Sequence, residues 1–163
     1  MTHAARNLLI QGLLVLTAGL LLGFVYMVFL VGALDLRPLP LNIQITMPGT
    51  EHGWRTAHVG SLLNGVFAVA LAFALDKAVL TPRARAWAAR LVVFAIWVNV
   101  GFYILANFAP NRALSWNANQ YGDASFAGMI AFAPAVIGTM TAVVGVVMIL
   151  IGVLRGRTGI EES

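Results

Sequence analysis

The chain has 163 residues, of which 60% are hydrophobic and only 10% are charged. A soluble domain carries about 25% charged residues, so there is too little polar surface here to cover a water-soluble globule. The net charge of +4, from 10 Lys and Arg against 6 Asp and Glu, is spread between apolar runs; it reads as a topology signal facing anionic lipid and excludes a nucleic-acid-binding patch.

The first apolar run, Leu8 to Leu34, is 27 residues without a charge, interrupted only by Gln11, Thr17 and Tyr26. A bilayer core is crossed by about 20 residues, whereas the apolar core of a signal peptide has about 7–15. The run is therefore expected to be a retained helix. Gly19 and Gly23 form a GxxxG pair, a pattern that lets two membrane helices approach closely. The loop from Asp35 to Gly53 is punctuated by Pro38, Pro40 and Pro48-Gly49. Within it Leu41, Ile43, Ile45 and Met47 alternate with polar residues, which predicts an extended segment with one apolar face. The second run is Val59 to Leu75, followed by a short basic loop to Arg90 and a third run from Leu91 to Phe108. An Asn-rich loop follows, with Trp116 and Tyr121 as interface anchors. The last run, Phe126 to Leu154, is 29 residues long. It has length to tilt, and Pro134 within it is expected to bend the helix because proline removes a backbone donor.

The predicted fold is all-α: one four-transmembrane-helix bundle over residues 1–163, with spans at about 8–34, 55–76, 87–108 and 126–154. Arg6, Lys77, Arg83, Arg85, Arg90, Arg155 and Arg157 fall on one side, and Arg37, Arg55 and Arg112 on the other. By the positive-inside rule both termini are cytoplasmic, in a multi-pass protein of a bacterial-type inner membrane.

Polar groups inside such spans need partners or a function, because hydrocarbon offers them no hydrogen bonds. The second span carries His58 and Asn64, and the third carries Asn99, Tyr103 and Asn107. Asn99 and Tyr103 are four apart and share a helix face; Asn107 is turned away from Asn99 by about 80°. His58 reads either as an inert interfacial histidine or as a ligand. Gly60 and Gly65, with Ala57 and Ser61, lack bulk beside it and would leave room for a flat ligand such as haem. The asparagines read either as glue between helices or as the lining of a pocket. Carboxylates are absent from the spans: Asp35 and Asp76 sit at boundaries as solvated charges and Asp123 lies in a loop. No pair for acid–base work and no Ser-His-Asp set is present. The absence of cysteine excludes disulfides, thiolate catalysis and cysteine-ligated metal. Of the histidines His3, His52 and His58, only His58 falls in a span. A haem there would keep one iron position open for chemistry, unless a symmetric oligomer supplied a second histidine.

The stretch Gly53-Trp54, Ala57-His58, Gly60, Leu63-Asn64-Gly65 resembles the styrene oxide isomerase family. So do Trp97, Asn99-Val100-Gly101-Phe102-Tyr103, Asn107-Phe108, Pro110-Asn111-Arg112, Leu114, Asn119-Gln120 and Gly122. The resemblance runs from about Pro48 to Asp123. It implies a four-helix membrane homotrimer that binds haem b, here expected to be ferric, at the boundary between protomers through His58. Gly65, for the room it leaves beside His58, and Asn99 are further expected cofactor-binding residues. It implies that Asn64 and Tyr103 act on the substrate, a small apolar aryl epoxide. The implied reaction is isomerisation to an arylacetaldehyde, with no nucleic-acid partner. One departure stands out: Ala95 occupies a position, two before Trp97, where the resemblance implies an acid. Two other functions compete on the residues alone. One is a haem-binding electron-transfer or sensor protein of the membrane; the other is a cofactor-free helical subunit whose asparagines are structural.

Overall fold

The computed structural model of the chain describes residues 1–158. Residues 159–163, at the terminus expected to be cytoplasmic, lie outside the described set. Four long helices account for most of the chain, each long and apolar enough to cross a membrane.

Helix α1 (His3–Val31) starts at Thr2, whose hydroxyl accepts the Ala5 amide. It stops at Gly32, which adopts φ 70° and donates its N–H to the Val28 carbonyl at 2.9 Å. That left-handed cap suits glycine, and it ends the helix before the apolar run is finished. The run predicted to stay helical to Leu34 instead turns into strand β1 (Ala33–Asp35), which pairs antiparallel with β2 (Asn42–Gln44), Leu34 opposite Ile43. The alternating segment is therefore extended, as its period demands, and all three β2 residues are exposed. At the end of β1, Asp35 is a partnered charge: Arg37 grips its carboxylate through Nε and Nη2 at 2.6–3.0 Å. These bonds hold the Asp35 carboxyl below its ordinary range.

Helix α2 (Glu51–Lys77) begins a turn earlier than its apolar run suggests, because Thr50 caps it by accepting the Gly53 amide at 3.0 Å. Glu51 in the first turn and Lys77 in the last suit the helix dipole. Helix α3 (Pro82–Ala106) likewise starts early, with Thr81 as cap and Pro82 in the first turn, where proline's missing donor costs nothing. It ends at Ala106 and not at Phe108, with Asn107 as its C-cap. Helix α4 (Phe126–Thr158) runs through Pro134.

α1 packs chiefly on α2 and α3 on α4, with α2 also touching α3 and α4. Leu8, Val15, Leu75, Val92 and Ile96 are buried in the central core. The outward faces are apolar: Leu20, Leu21 and Leu63 are each 64% exposed, a surface that suits lipid and not water. Glycines set the α1–α2 spacing. A methyl on Gly12 would lie 3.0 Å from the Val69 amide nitrogen, and one on Gly19 would lie 2.9 Å from that of Leu62. At the other end of α2, Asp76 is not a free boundary charge; it accepts the Thr2 amide at 2.7 Å and ties the two helices together.

The loop between α3 and α4 folds around Asn111, which is fully buried. Its Nδ2 donates to the Ser115 and Asn117 carbonyls at 3.0 Å, and its Oδ1 accepts the Ala113 amide at 3.1 Å. These bonds hold Arg112 and Ala113 at φ 56° and 53°, a region side-chain-bearing residues rarely adopt. Ala113 and Leu114 thereby join the wall of a cavity between α3 and α4.

Candidate active site

The polar residues of α2 and α3 sort onto two faces of α2. The first holds Asn64. Its Nδ2 donates to the Gly60 carbonyl at 2.8 Å and to the Tyr103 phenol oxygen at 3.1 Å, while its Oδ1 accepts from Asn99 Nδ2 at 3.0 Å. The result is a directed chain, Asn99 to Asn64 to Tyr103. Each amide donates onward, so the phenol oxygen is an acceptor and its own O–H remains to donate. No acceptor for that proton lies within reach among the described residues. Tyr103 reaches this position because Gly60 has no side chain: a methyl there would lie 2.6 Å from the ring. The four-residue spacing of Asn99 and Tyr103 brought both to Asn64, as the shared face requires.

Two cavities meet at Tyr103. One, of about 660 Å³, lies at the end of the bundle where α2 begins and α3 ends. Its walls include Thr50, His52, Thr56, Phe102, Tyr103, Arg112 and Tyr121. The other, of about 320 Å³, lies between α3 and α4 and is lined by Asn99, Phe102, Tyr103, Ala113, Leu114, Phe132, Ala135, Val136 and Thr139. Both are in the size range of small-molecule sites. Of the α4 residues in the second wall only Thr139 is polar, and its hydroxyl donates to the Ala135 carbonyl of its own helix at 2.9 Å; sequence reasoning missed this wall because the other three are apolar like the rest of the span. At the rim, Arg112 stacks over Tyr121 at 4.2 Å.

The second face of α2 holds His58, turned toward α1. Its Nδ1 lies 2.9 Å from the Gly19 carbonyl. A carbonyl only accepts, so Nδ1 carries the proton and Nε2 keeps its lone pair. Nε2 has no partner among the described residues and is not buried. The empty space expected beside Gly60 and Gly65 is filled: Tyr103 covers Gly60, and a methyl on Gly65 would lie 2.5 Å from Leu16 Cγ. Gly65 therefore serves the packing of α2 on α1. His58 lines neither cavity. It is two residues from Gly60, which at about 100° per residue places the two on nearly opposite sides of α2. Within one copy of the chain, His58 and Tyr103 are not brought together.

Asn107 takes a different neighbour from Asn99, as its angular offset implies. Its Oδ1 accepts the Thr50 amide at 2.8 Å and joins the end of α3 to the start of α2. Ala95, which stands where an acid was implied, is 1% exposed, and a methyl on Gly138 of α4 would lie 3.7 Å from its Cα. Its place is the α3–α4 seam, outside both cavities.

The sequence pattern of the styrene oxide isomerase family matches residues 4–154, the length of all four helices up to the last turns of α4. The chain belongs to the styrene oxide isomerase family. A member named styrene-oxide isomerase from Pseudomonas fluorescens is 33% identical over 136 residues, covering 83% of this chain and 80% of that protein. The isomerase family match spans both faces of α2, so the Asn64–Tyr103 face and the His58 face belong to one family framework.

Proposed function

We propose that this chain is a membrane epoxide isomerase that converts aryl epoxides of the styrene oxide type to arylacetaldehydes. Family membership supports the reaction class. The observation that carries the chemistry is the Asn99–Asn64–Tyr103 chain, which ends on a phenol proton beside two cavities.

Isomerisation moves atoms within one molecule and consumes no electrons. The benzylic C–O bond breaks, leaving a cation that the aromatic ring stabilises. A hydride then shifts from the neighbouring carbon as the C=O bond forms. Negative charge develops on the epoxide oxygen during opening, and Tyr103 O–H is placed to donate to it. Asn64 holds the phenol oxygen, and Asn99 holds Asn64, so the donor is oriented before the substrate arrives. Donation into the phenol oxygen also polarises its O–H bond, because linked hydrogen bonds strengthen one another. Water would trap the cation as a diol, and the apolar walls contributed by Phe102, Leu114, Phe132 and Val136 keep the ring's surroundings dry. No base is needed, in keeping with spans that lack carboxylates.

His58 would hold haem b, since a proton fixed on Nδ1 leaves Nε2 for a metal. Ferric haem held there would supply Lewis acidity toward the epoxide oxygen. Because His58 and Tyr103 face opposite sides of α2, one substrate would meet both only if two copies contribute. That supports an oligomer with the cofactor at the boundary between protomers, and the family resemblance makes it a homotrimer. Positive-inside counting supports a bacterial inner-membrane protein with both termini in the cytoplasm.

The test is direct. Purified protein should show a Soret band and should form phenylacetaldehyde from styrene oxide, measured by gas chromatography. A Soret band with no isomerase activity would favour an electron-transfer or sensor protein, and neither signal would favour a structural subunit. Co-expression of His58→Ala and Tyr103→Phe chains should give more activity than the mean of the two variants alone. No such gain would place each site within a single copy.

A further inference from the structure

We infer that Gly23 of α1 is a positioning residue for the cofactor ligand, shaped to receive the imidazole of His58. This rests on His58 being the haem ligand. A methyl on Gly23 would lie 2.6 Å from both Nδ1 and Cε1 of His58 and 3.3 Å from Cγ. The ring edge therefore lies directly over the Gly23 Cα. One turn earlier, the Gly19 carbonyl takes the Nδ1 proton at 2.9 Å.

These two contacts depend on each other. In a helix each Cα–Cβ bond tilts toward the N-terminus, so residue 23 is the one whose side chain would cover the carbonyl of residue 19. That carbonyl already accepts the i+4 amide within the helix and has one lone pair left. For His58 to reach it in this geometry residue 23 must lack a Cβ, which would stand 2.6 Å from the donating Nδ1.

The role differs from that of the other α1 glycines. Gly12 and Gly19 face backbone atoms of Val69 and Leu62 and let α2 approach α1. The nearest neighbours of Gly23 are all atoms of the His58 ring. Its missing side chain is thus matched to one ring. It fixes which nitrogen is protonated, the rotation of the ring and the direction in which Nε2 is presented.

Gly23→Ala should lower haem affinity by about tenfold or more, the usual loss when the partner of a metal-ligating histidine is removed. In haem that remains, the ferrous iron–histidine stretching band in the resonance Raman spectrum should shift. Gly101→Ala, which meets nothing within 4 Å, should keep both haem and band. Gly12→Ala, which clashes along the same α1–α2 seam, should keep the band even where thermal stability falls. In a His58→Ala background, adding Gly23→Ala should leave the melting temperature unchanged, because the methyl then has room. Full haem with an unshifted band in Gly23→Ala would overturn the inference. So would an equal band shift in Gly12→Ala, or an equal loss of melting temperature with alanine at 58. Haem retained by His58→Ala alone would overturn the ligand assignment, and this inference with it.

Discussion

At the scale of single residues, the site depends on which atoms remain free. Tyr103 is useful because Asn64 occupies its acceptor side and leaves its proton available. Tyr103→Phe should therefore cut turnover of styrene oxide at least tenfold, about 1.4 kcal/mol or more of lost transition-state stabilisation, with haem content unchanged. Asn64→Ala should fall in the same range, since it releases the phenol. Asn99→Ala should cost less, because Asn64 keeps its bonds to Gly60 and Tyr103. Full activity in both the Tyr103 and Asn64 variants would make the chain of amides structural. For the other face, His58→Ala should abolish the Soret band of purified protein while His3→Ala retains it. A Soret band of full intensity in the His58 variant would exclude this histidine as the ligand.

At the scale of elements, side chains outside the apolar runs decide where helices stop and how cavities close. Gly32 ends α1 before its apolar run is complete, and Thr50 and Thr81 start α2 and α3 ahead of theirs. Asn111 does comparable work in the α3–α4 loop. Its amide satisfies two carbonyls and one amide in a buried position. Asn111→Ala should destabilise the protein by about 1–3 kcal/mol, the cost of leaving buried polar groups unpaired, read as a lower melting temperature. Because the bonds shape the loop that places Ala113 and Leu114 in the wall of the smaller cavity, the same variant should also raise the fraction of diol among products as that wall loosens and water gains entry. An unchanged melting temperature and product ratio would show that the loop holds its shape without Asn111.

At the scale of the whole molecule, the proposed function asks the bundle to hold a redox-capable cofactor for a redox-neutral reaction, and that proposal is testable. Dithionite should suppress turnover in purified protein and reoxidation should restore it, since ferric iron is the harder acid; equal rates in both states would exclude that role. Orientation follows from charge. A reporter fused after Ser163 should be cytoplasmic and one inserted near Gly49 external, and the reverse pattern would invert the bundle. The apolar outer faces and the half-buried position of His58 both concern surfaces that one copy leaves uncovered.

The sequence by itself determined the number of long apolar helices, because span length and the rarity of charge within spans are one-dimensional properties. It also marked Asn99 and Tyr103 as face-sharing, because helical spacing is local. Family membership was legible in the Asn-x-Gly-Phe-Tyr and Asn-Phe-x-Pro-Asn-Arg patterns, and two of their residues are needed at particular places: Asn107 joins two helix ends, and Asn111 orders a loop. Only the tertiary structure decided what fills the space beside each glycine. Gly60 and Gly65 looked alike in the sequence as gaps near His58, yet Tyr103 fills one and Leu16 the other, while the residue that accommodates His58 is Gly23 on another helix. The physical reason is that a missing side chain specifies an absence, and what occupies it depends on which helix packs against that face.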